Sequence, residues 1–409
     1  MLAWGHMRFI SLLPVCLLVL QSCSLQERLD FVSSDIEQQF ADIETWEKLP
    51  VRTISWNQAV AMMKRNNISY LKTQNIIKQA EREELSVYTD LIPGVSFYSY
   101  YTQSIGNLAE EINSDSLSNN INVTFNIPTL TQLPYRVYAS KASTYAAIKA
   151  LEGRERELIS QLYTLQRQQQ LENRQKQLDK EKPENEPDYL LKEKDTQVTQ
   201  WMNLATLLGD YSARWQILPS SVPEFHWANY RKLTHKMDEL VVCKFALELE
   251  QARMQQYSIA LTYLPTLNLS LYSPSLFSST GGTYSGTFLD KDATKLNMNI
   301  SYSLDTDLRV WNSYRDNKEN YELNKREITA KIISHKQKLH TLRTSMDEYY
   351  AWRGFMSKRV EHLRTAPAAN AAEFLENENN LQSMQQELLN QEKAAIESEA
   401  ALILQYGLR

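Results

Sequence analysis

A helical run that stops at a proline and turns at once into a strand occurs twice in this chain, 172 residues apart at Pro93 and Pro265. Any fold must therefore hold two copies of one unit, and an internal repeat organises the rest of the reading. In the first copy, residues 55 to about 92 read as a helix with Ser55 as its N-cap, and Pro93-Gly94 ends it. A strand follows at about 94–102, then a polar loop and a second strand at about 120–128. In the second copy the helix is Asp238 to Leu264, and the strands are about 266–273 and 295–304, with Gly281-Gly282 in the loop between them.

Each second strand leads into a long helical hairpin. The first runs from about Tyr135 to Asp179, breaks at KEKPENEPD and resumes from Tyr189 to Leu208. The second runs from about Val310 to Arg364, breaks at TAPAAN and resumes from Ala371 to Tyr406. Gly209 and Gly407 stand where helix C-caps belong. The expected organisation is a signal peptide (1–22), an N-terminal linker (23–54), repeat 1 (55–210), a connector rich in Trp, Pro and His (211–237) and repeat 2 (238–409).

Composition agrees with long helices. The 409 residues hold only 10 glycines and 12 prolines, while Gln, Glu, Leu, Ala and Lys run in long stretches. Three stripes carry seven-residue spacing. The first is Val242, Phe245, Leu249, Ala252, Ile259 and Tyr263; the second is Ile328, Ile332, Leu339, Leu342, Met346 and Tyr349; the third is Leu381, Leu388, Ala395 and Leu402. Such narrow stripes pack helix on helix in coiled-coil fashion. A helix of about 45 residues rises to roughly 65–70 Å, more than a compact single-core domain holds.

The strands alternate Leu, Ile, Val, Phe or Met with Asn, Ser or Thr, and Val95 to Tyr101 is the least regular. A soluble sheet can show this pattern, and a membrane barrel requires it. Four strands cannot enclose a useful pore, since about eight already fill their interior with side chains. A membrane barrel therefore needs several chains.

The N-terminus reads as a targeting segment. Arg8 precedes an apolar run from Phe9 to Leu20, too short to span a bilayer, and the n-region reads better from Met7 than from Met1. Leu20-Gln21-Ser22-Cys23 resembles the bacterial lipoprotein signal, which implies cleavage before Cys23 and a lipid on its sulfur. Cys16 then leaves with the peptide, and Cys243 is a lone thiol expected as a small buried apolar residue. Beyond the signal no stretch approaches 18 consecutive apolar residues, so strands of a closed barrel are the one route across a membrane.

Two repeats of helix, strand, strand and long hairpin behind a lipoprotein signal resemble the TolC-like outer-membrane efflux proteins, from about Ser55 to Gly407. The helix opening WNQAVAMMKRNN and the junctions LIPGVSF and YLPTLNL, with Pro93 and Pro265, are similar to family patterns. PAANAAEFLENENNLQ (367–382) is similar to the family's second hairpin tip, with Glu373 and Glu376 at its two acidic positions. In the first copy Asp188-Tyr189-Leu190 matches in part, with Leu191 in place of the second acid, and Ala369 stands where the family has an arginine.

The resemblance implies a mainly α fold with a small β part, three chains forming an α-helical tunnel and a 12-stranded barrel. It implies a passive export duct of a tripartite efflux or type I secretion system, lipid-anchored in the outer membrane with a large periplasmic part. Its partners would be two further copies of itself, a periplasmic adaptor, an inner-membrane pump and outer-membrane lipid. Glu373, Glu376 and Asp188 would ring the tunnel entrance. The tips at Pro183, Pro187, Pro367, Ala368 and Ala369 would dock the adaptor. The alternative is a lipid-anchored periplasmic coiled-coil scaffold without a pore, which has no use for four matched short strands.

Enzyme chemistry finds no purchase. GxSxG, P-loop, GxGxxG and HExxH motifs are absent, and His226, His235, His335, His340 and His362 lack ligand spacing. No cofactor or metal is expected. A net charge of −5 without a dense basic block argues against nucleic acid.

Overall fold

The computed structural model describes residues 29, 32–38, 48–89, 92, 94–101, 117–126, 128–179, 187–261, 266–273, 295–301, 308–365 and 371–408. In chain order the elements are β1 (Val51–Ile54), α1 (Trp56–Asn66), α2 (Ile68–Thr89), β2 (Gly94–Tyr101), β3 (Leu117–Asn126), α3 (Pro128–Asp179), α4 (Pro187–Leu208), β4 (Arg214–Ile217), α5 (Trp227–Leu233), α6 (Glu239–Leu261), β5 (Thr266–Ser273), β6 (Lys295–Ser301), α7 (Arg309–Thr365) and α8 (Ala371–Tyr406). The fold is mainly helical. Two compact units divide it: residues 1–67 with 180–223, and 68–179 with 224–409.

In the first unit, β1 and β4 pair in parallel from Val51↔Arg214 to Ile54↔Ile217. The sequence reading placed these segments in a linker and a connector. Each strand is only four residues long and its partner lies more than 160 positions away, so neither leaves a local signal. Ser55 caps α1 through a capping box with Gln58: the Ser55 hydroxyl accepts the Gln58 N–H, and Gln58 Oε1 accepts the Ser55 N–H at 2.9 Å. Trp56, Ala59 and Met63 on one face of α1 are buried.

One helix was expected over 55–92, and the structure has two. Asn67 takes an extended backbone between them, and its side-chain amide donates to the Leu207 carbonyl at 2.9 Å, at the end of α4. Gly209 closes that end with φ +67°, its N–H bonding the Ala205 carbonyl. A Cβ on Gly209 would collide with the Asn66 carbonyl group, so glycine is required by conformation and by space. The interruption at Asn67 is thus the far side of α4's cap, a tertiary cause with no signature in the first helix.

The second unit holds a four-stranded antiparallel sheet in the order β2-β3-β5-β6 and the long helices. At about 1.5 Å per residue α3 and α7 extend roughly 78 and 86 Å. α3 begins at Pro128 and runs through Pro134, earlier than the expected start at Tyr135. The proline removes one bond to the Leu130 carbonyl near the helix start, a cost the helix absorbs.

α3 packs against α2, α6 and α8, and α7 packs against α6 and α8. Ile328, Leu339 and Met346 are buried on α7, and Ala395 and Leu402 on α8. Two stripes need correction: Val242 of the first and Ile332 of the second are exposed, and among the described residues of α6 Met254 is buried, while Tyr263 lies outside the described residues. Because α6 touches both α3 and α7, its contact face is broader than one heptad seam. Cys243 is half-buried on this helix rather than buried, within reach of the Tyr145 hydroxyl.

Candidate functional site

Alternation along β3, β5 and β6 gives the sheet two chemically different faces, the register aligns them, and β2 joins them less regularly. One row joins Val95, Val123, Leu271 and Leu296; the next joins Phe125, Leu269 and Met298; a third joins Leu267 and Ile300. The intervening rows are Gly94, Thr124, Ser270 and Asn297, then Asn126, Asn268 and Asn299. Over these rows one face is apolar and the other carries Thr, Ser and Asn, and the further row Ser96, Asn122, Tyr272 and Lys295 adds an aromatic and a cation to the polar face. On β6 the aliphatic residues stand in the open: Leu296 is 70 %, Met298 63 % and Ile300 60 % exposed. Burying them is worth about 1.5–3 kcal/mol per side chain. Such a stripe calls for an apolar partner.

A second feature runs between α3 and α8, which lie antiparallel. From Arg156 to Gln175 the seam is polar. The Arg156 guanidinium donates to Asp238 and to the Gln405 carbonyl, each at 2.6 Å. Ser160 donates to the Ala400 carbonyl, and Tyr163 donates to Glu399 Oε2 at 2.8 Å. Arg167 Nη2 donates to Glu392 Oε1 at 2.8 Å, and Arg174 Nη1 reaches Glu392 Oε2 at 3.1 Å. Gln175 and Gln386 exchange a reciprocal pair of amide bonds. Leu158, Leu162, Leu171, Leu389, Ile396, Leu402 and Ile403 are buried alongside.

Glu392 is 4 % and Glu399 3 % exposed, so these acids belong to the interior. Burial raises the Glu399 carboxyl above its ordinary range, against the downward pull of the Tyr163 hydrogen bond and Arg167. Burial likewise pushes the Tyr349 and Tyr350 hydroxyls up to about 12.

The sequence reading counted acids as helix-surface charges and missed this seam. Its signal was available: Glu392 and Glu399 fall between Leu388, Ala395 and Leu402 at steps of four and three, in phase with the third stripe. Arg167 and Arg174 are also seven apart.

Of the residues singled out from sequence, Pro187 opens α4 with Asp188 in its first turn, and Glu373 lies in the first turn of α8. Glu376 is exposed on that helix. Cys23, Pro93, Pro183, Pro265, Pro367, Ala368 and Ala369 lie outside the described residues. Among the described residues no group of His, Cys, Asp or Glu is arranged to hold a metal, and no helix is long and apolar enough to cross a membrane.

No protein-family model matches the sequence, and no curated protein matches it. Solved structures do. The outer membrane protein VceC from Vibrio cholerae superposes with a TM-score of 0.58 at 15% identity, over 86% of this chain and 95% of that one. The chain has the TolC-like fold. CusC, whose structures concern folding and transmembrane channel formation, matches with a TM-score of 0.52 at 14% identity, over 86% and 92% of the two chains. The open state of the MtrE outer membrane channel from Neisseria gonorrhoeae matches with a TM-score of 0.51 at 13% identity, over 86% and 89%. Within this TolC-like fold, the two-faced sheet and the long helices are the parts that carry a functional reading.

Proposed function

We propose that this chain is the outer-membrane channel component of a tripartite efflux or type I secretion system, a passive duct with a large periplasmic part. The observation that carries the reading is the sheet, with an apolar face that stands exposed along β6, an opposite face made largely of Asn, Ser and Thr, and β2 and β6 as its edges among the described residues. Because all neighbours in β2-β3-β5-β6 are antiparallel, β6 of one copy can pair antiparallel with β2 of the next. Such a head-to-tail contact closes into a ring. Three copies give 12 strands, enough for a wet interior, with the aliphatic face toward lipid. The outer-membrane setting of VceC and MtrE supports the same reading.

In this reading the two repeats, 55–210 and 238–409, each supply two strands, entered at Pro93 and Pro265. The Pro183/Pro187 and Pro367/Ala368/Ala369 tips meet a periplasmic adaptor linked to an inner-membrane pump. Asp188, Glu373 and Glu376 gather threefold at the tunnel mouth, favouring cations. Cys23 anchors the chain in lipid. A fatty-acid probe should label the chain and fail to label Cys23→Ser; persistent labelling of the variant removes the anchor.

The decisive experiment is conductance of the purified full-length protein in a planar bilayer. Discrete, cation-preferring channels are expected, with that preference lowered by combined Glu373→Lys and Glu376→Lys. Absence of conductance overturns the channel. Conductance with unchanged preference assigns the two acids to the favourable N-terminal end of a helix dipole alone.

A further inference from the structure

The two buried acids of the α3–α8 seam are served unequally. Glu392 takes both guanidinium bonds, from Arg167 at 2.8 Å and from Arg174 at 3.1 Å. Glu399, equally buried, receives one neutral donor, the Tyr163 hydroxyl. Its nearest cation is Arg167, whose Nε stands 3.9 Å away, beyond hydrogen-bond reach, and has no hydrogen-bond partner. The other groups facing Glu399 are Tyr349, Tyr350 and Arg353 from α7 and Glu392 from its own helix. α5 meets α8 further along, where the Tyr230 hydroxyl donates to the Gly407 carbonyl. The surroundings of Glu399 are thus three tyrosines, a second acid, Arg167, whose hydrogen bonds go to Gln170 and Glu392, and the exposed Arg353. A buried carboxylate with so little compensation takes up a proton instead.

We propose that Glu399 is a proton-controlled clasp: its carboxyl is neutral while α8 is packed on α3 and α7, and ionises when these helices part. The packed arrangement therefore binds a proton that the separated helices release. The raised carboxyl sets the sign. Its contribution to packing is full below the ordinary carboxylate range and is lost as pH rises through the raised value. Within that window the packing equilibrium shifts up to about tenfold per pH unit through this one group. If the channel reading holds, acid would hold the helical tunnel in its packed state; the clasp itself depends only on the helix packing.

The test uses the full chain in detergent, comparing wild type, Glu399→Gln and Glu392→Gln in thermal unfolding between about pH 5 and pH 8. Glu399→Gln, which mimics the neutral acid, should match or exceed the wild-type midpoint at the alkaline end and show a flatter pH dependence. Glu392→Gln should instead lose stability, because it weakens the guanidinium bonds from Arg167 and Arg174. A Glu399→Gln profile as steep as wild type, or a midpoint below wild type at the alkaline end, overturns the proposal. Infrared spectroscopy of the wild type supplies a readout that needs no variant to fold. A protonated-carboxyl stretch should persist above the ordinary carboxylate range, and its absence also overturns the clasp. Planar-bilayer conductance of the same preparation separates failure of the clasp from failure of the channel reading.

Discussion

Met298→Arg should abolish assembly of the chain into a heat-modifiable membrane form, while Asn297→Arg, one residue earlier on the same strand, should leave it nearly intact. The two positions differ by one step along β6, about 3.3 Å, and so lie at almost the same depth. Met298 belongs to the row with Leu269 and Phe125, and Asn297 to the row with Ser270, Thr124 and Gly94. If the first row faces lipid, an arginine there costs about 2–4 kcal/mol per copy near mid-membrane. In the proposed ring of three copies that cost is repeated at three sites. In the same proposed barrel an arginine in the second row would meet water. Met298 sits mid-strand, where the expected depth penalty exceeds that at Ile300. Extraction of the membrane fraction followed by gel mobility with and without heating reads the result. Equal loss from both variants would refute a lipid-facing aliphatic row.

The parts of this fold that were legible in the sequence are those whose cause is local. The alternation at 295–301 depends on nothing beyond the strand itself, and β6 lies inside the strand expected at 295–304. Gly209 and Gly407 were readable because a positive φ at a helix end selects glycine, and both have it. What stayed hidden has its cause elsewhere in the chain. β1 and β4 exist because they pair with each other across the fold. The break at Asn67 exists because its side chain serves the end of α4. Val242 looked like core from its spacing, but the face that α6 buries is set by two neighbouring helices at once. In the α3–α8 seam, charge was taken for exposure although heptad phase already marked Glu392 and Glu399 as inward. When the identity of a side chain and its phase disagree, phase decides where it points, and burial then forces it to find partners.

Arg167→Ala should destabilise the second unit by at most about 3–5 kcal/mol, the usual cost of leaving a buried charge without its partner, because Arg174 offsets part of the loss. Glu392 is among the least exposed side chains of α8, and Arg167 supplies its shorter bond. Arg174, about half exposed, supplies the longer one and would be left to hold the acid alone. The same deletion removes the nearest cation from Glu399. The paired substitution Arg167→Met with Glu392→Met should recover most of the loss, because an apolar pair of similar volume avoids the desolvation cost altogether. Arg174 can then turn to solvent. Denaturation midpoints of the wild type, the two single variants and the double variant form the cycle that isolates the pair. A double variant as unstable as the singles would mean that the ion pair adds net stability to the seam. Recovery would mean that its role is register. An aliphatic seam of Leu and Ile tolerates a slip of one heptad between α3 and α8, whereas Arg167 opposite Glu392, with Tyr163 opposite Glu399, admits one alignment.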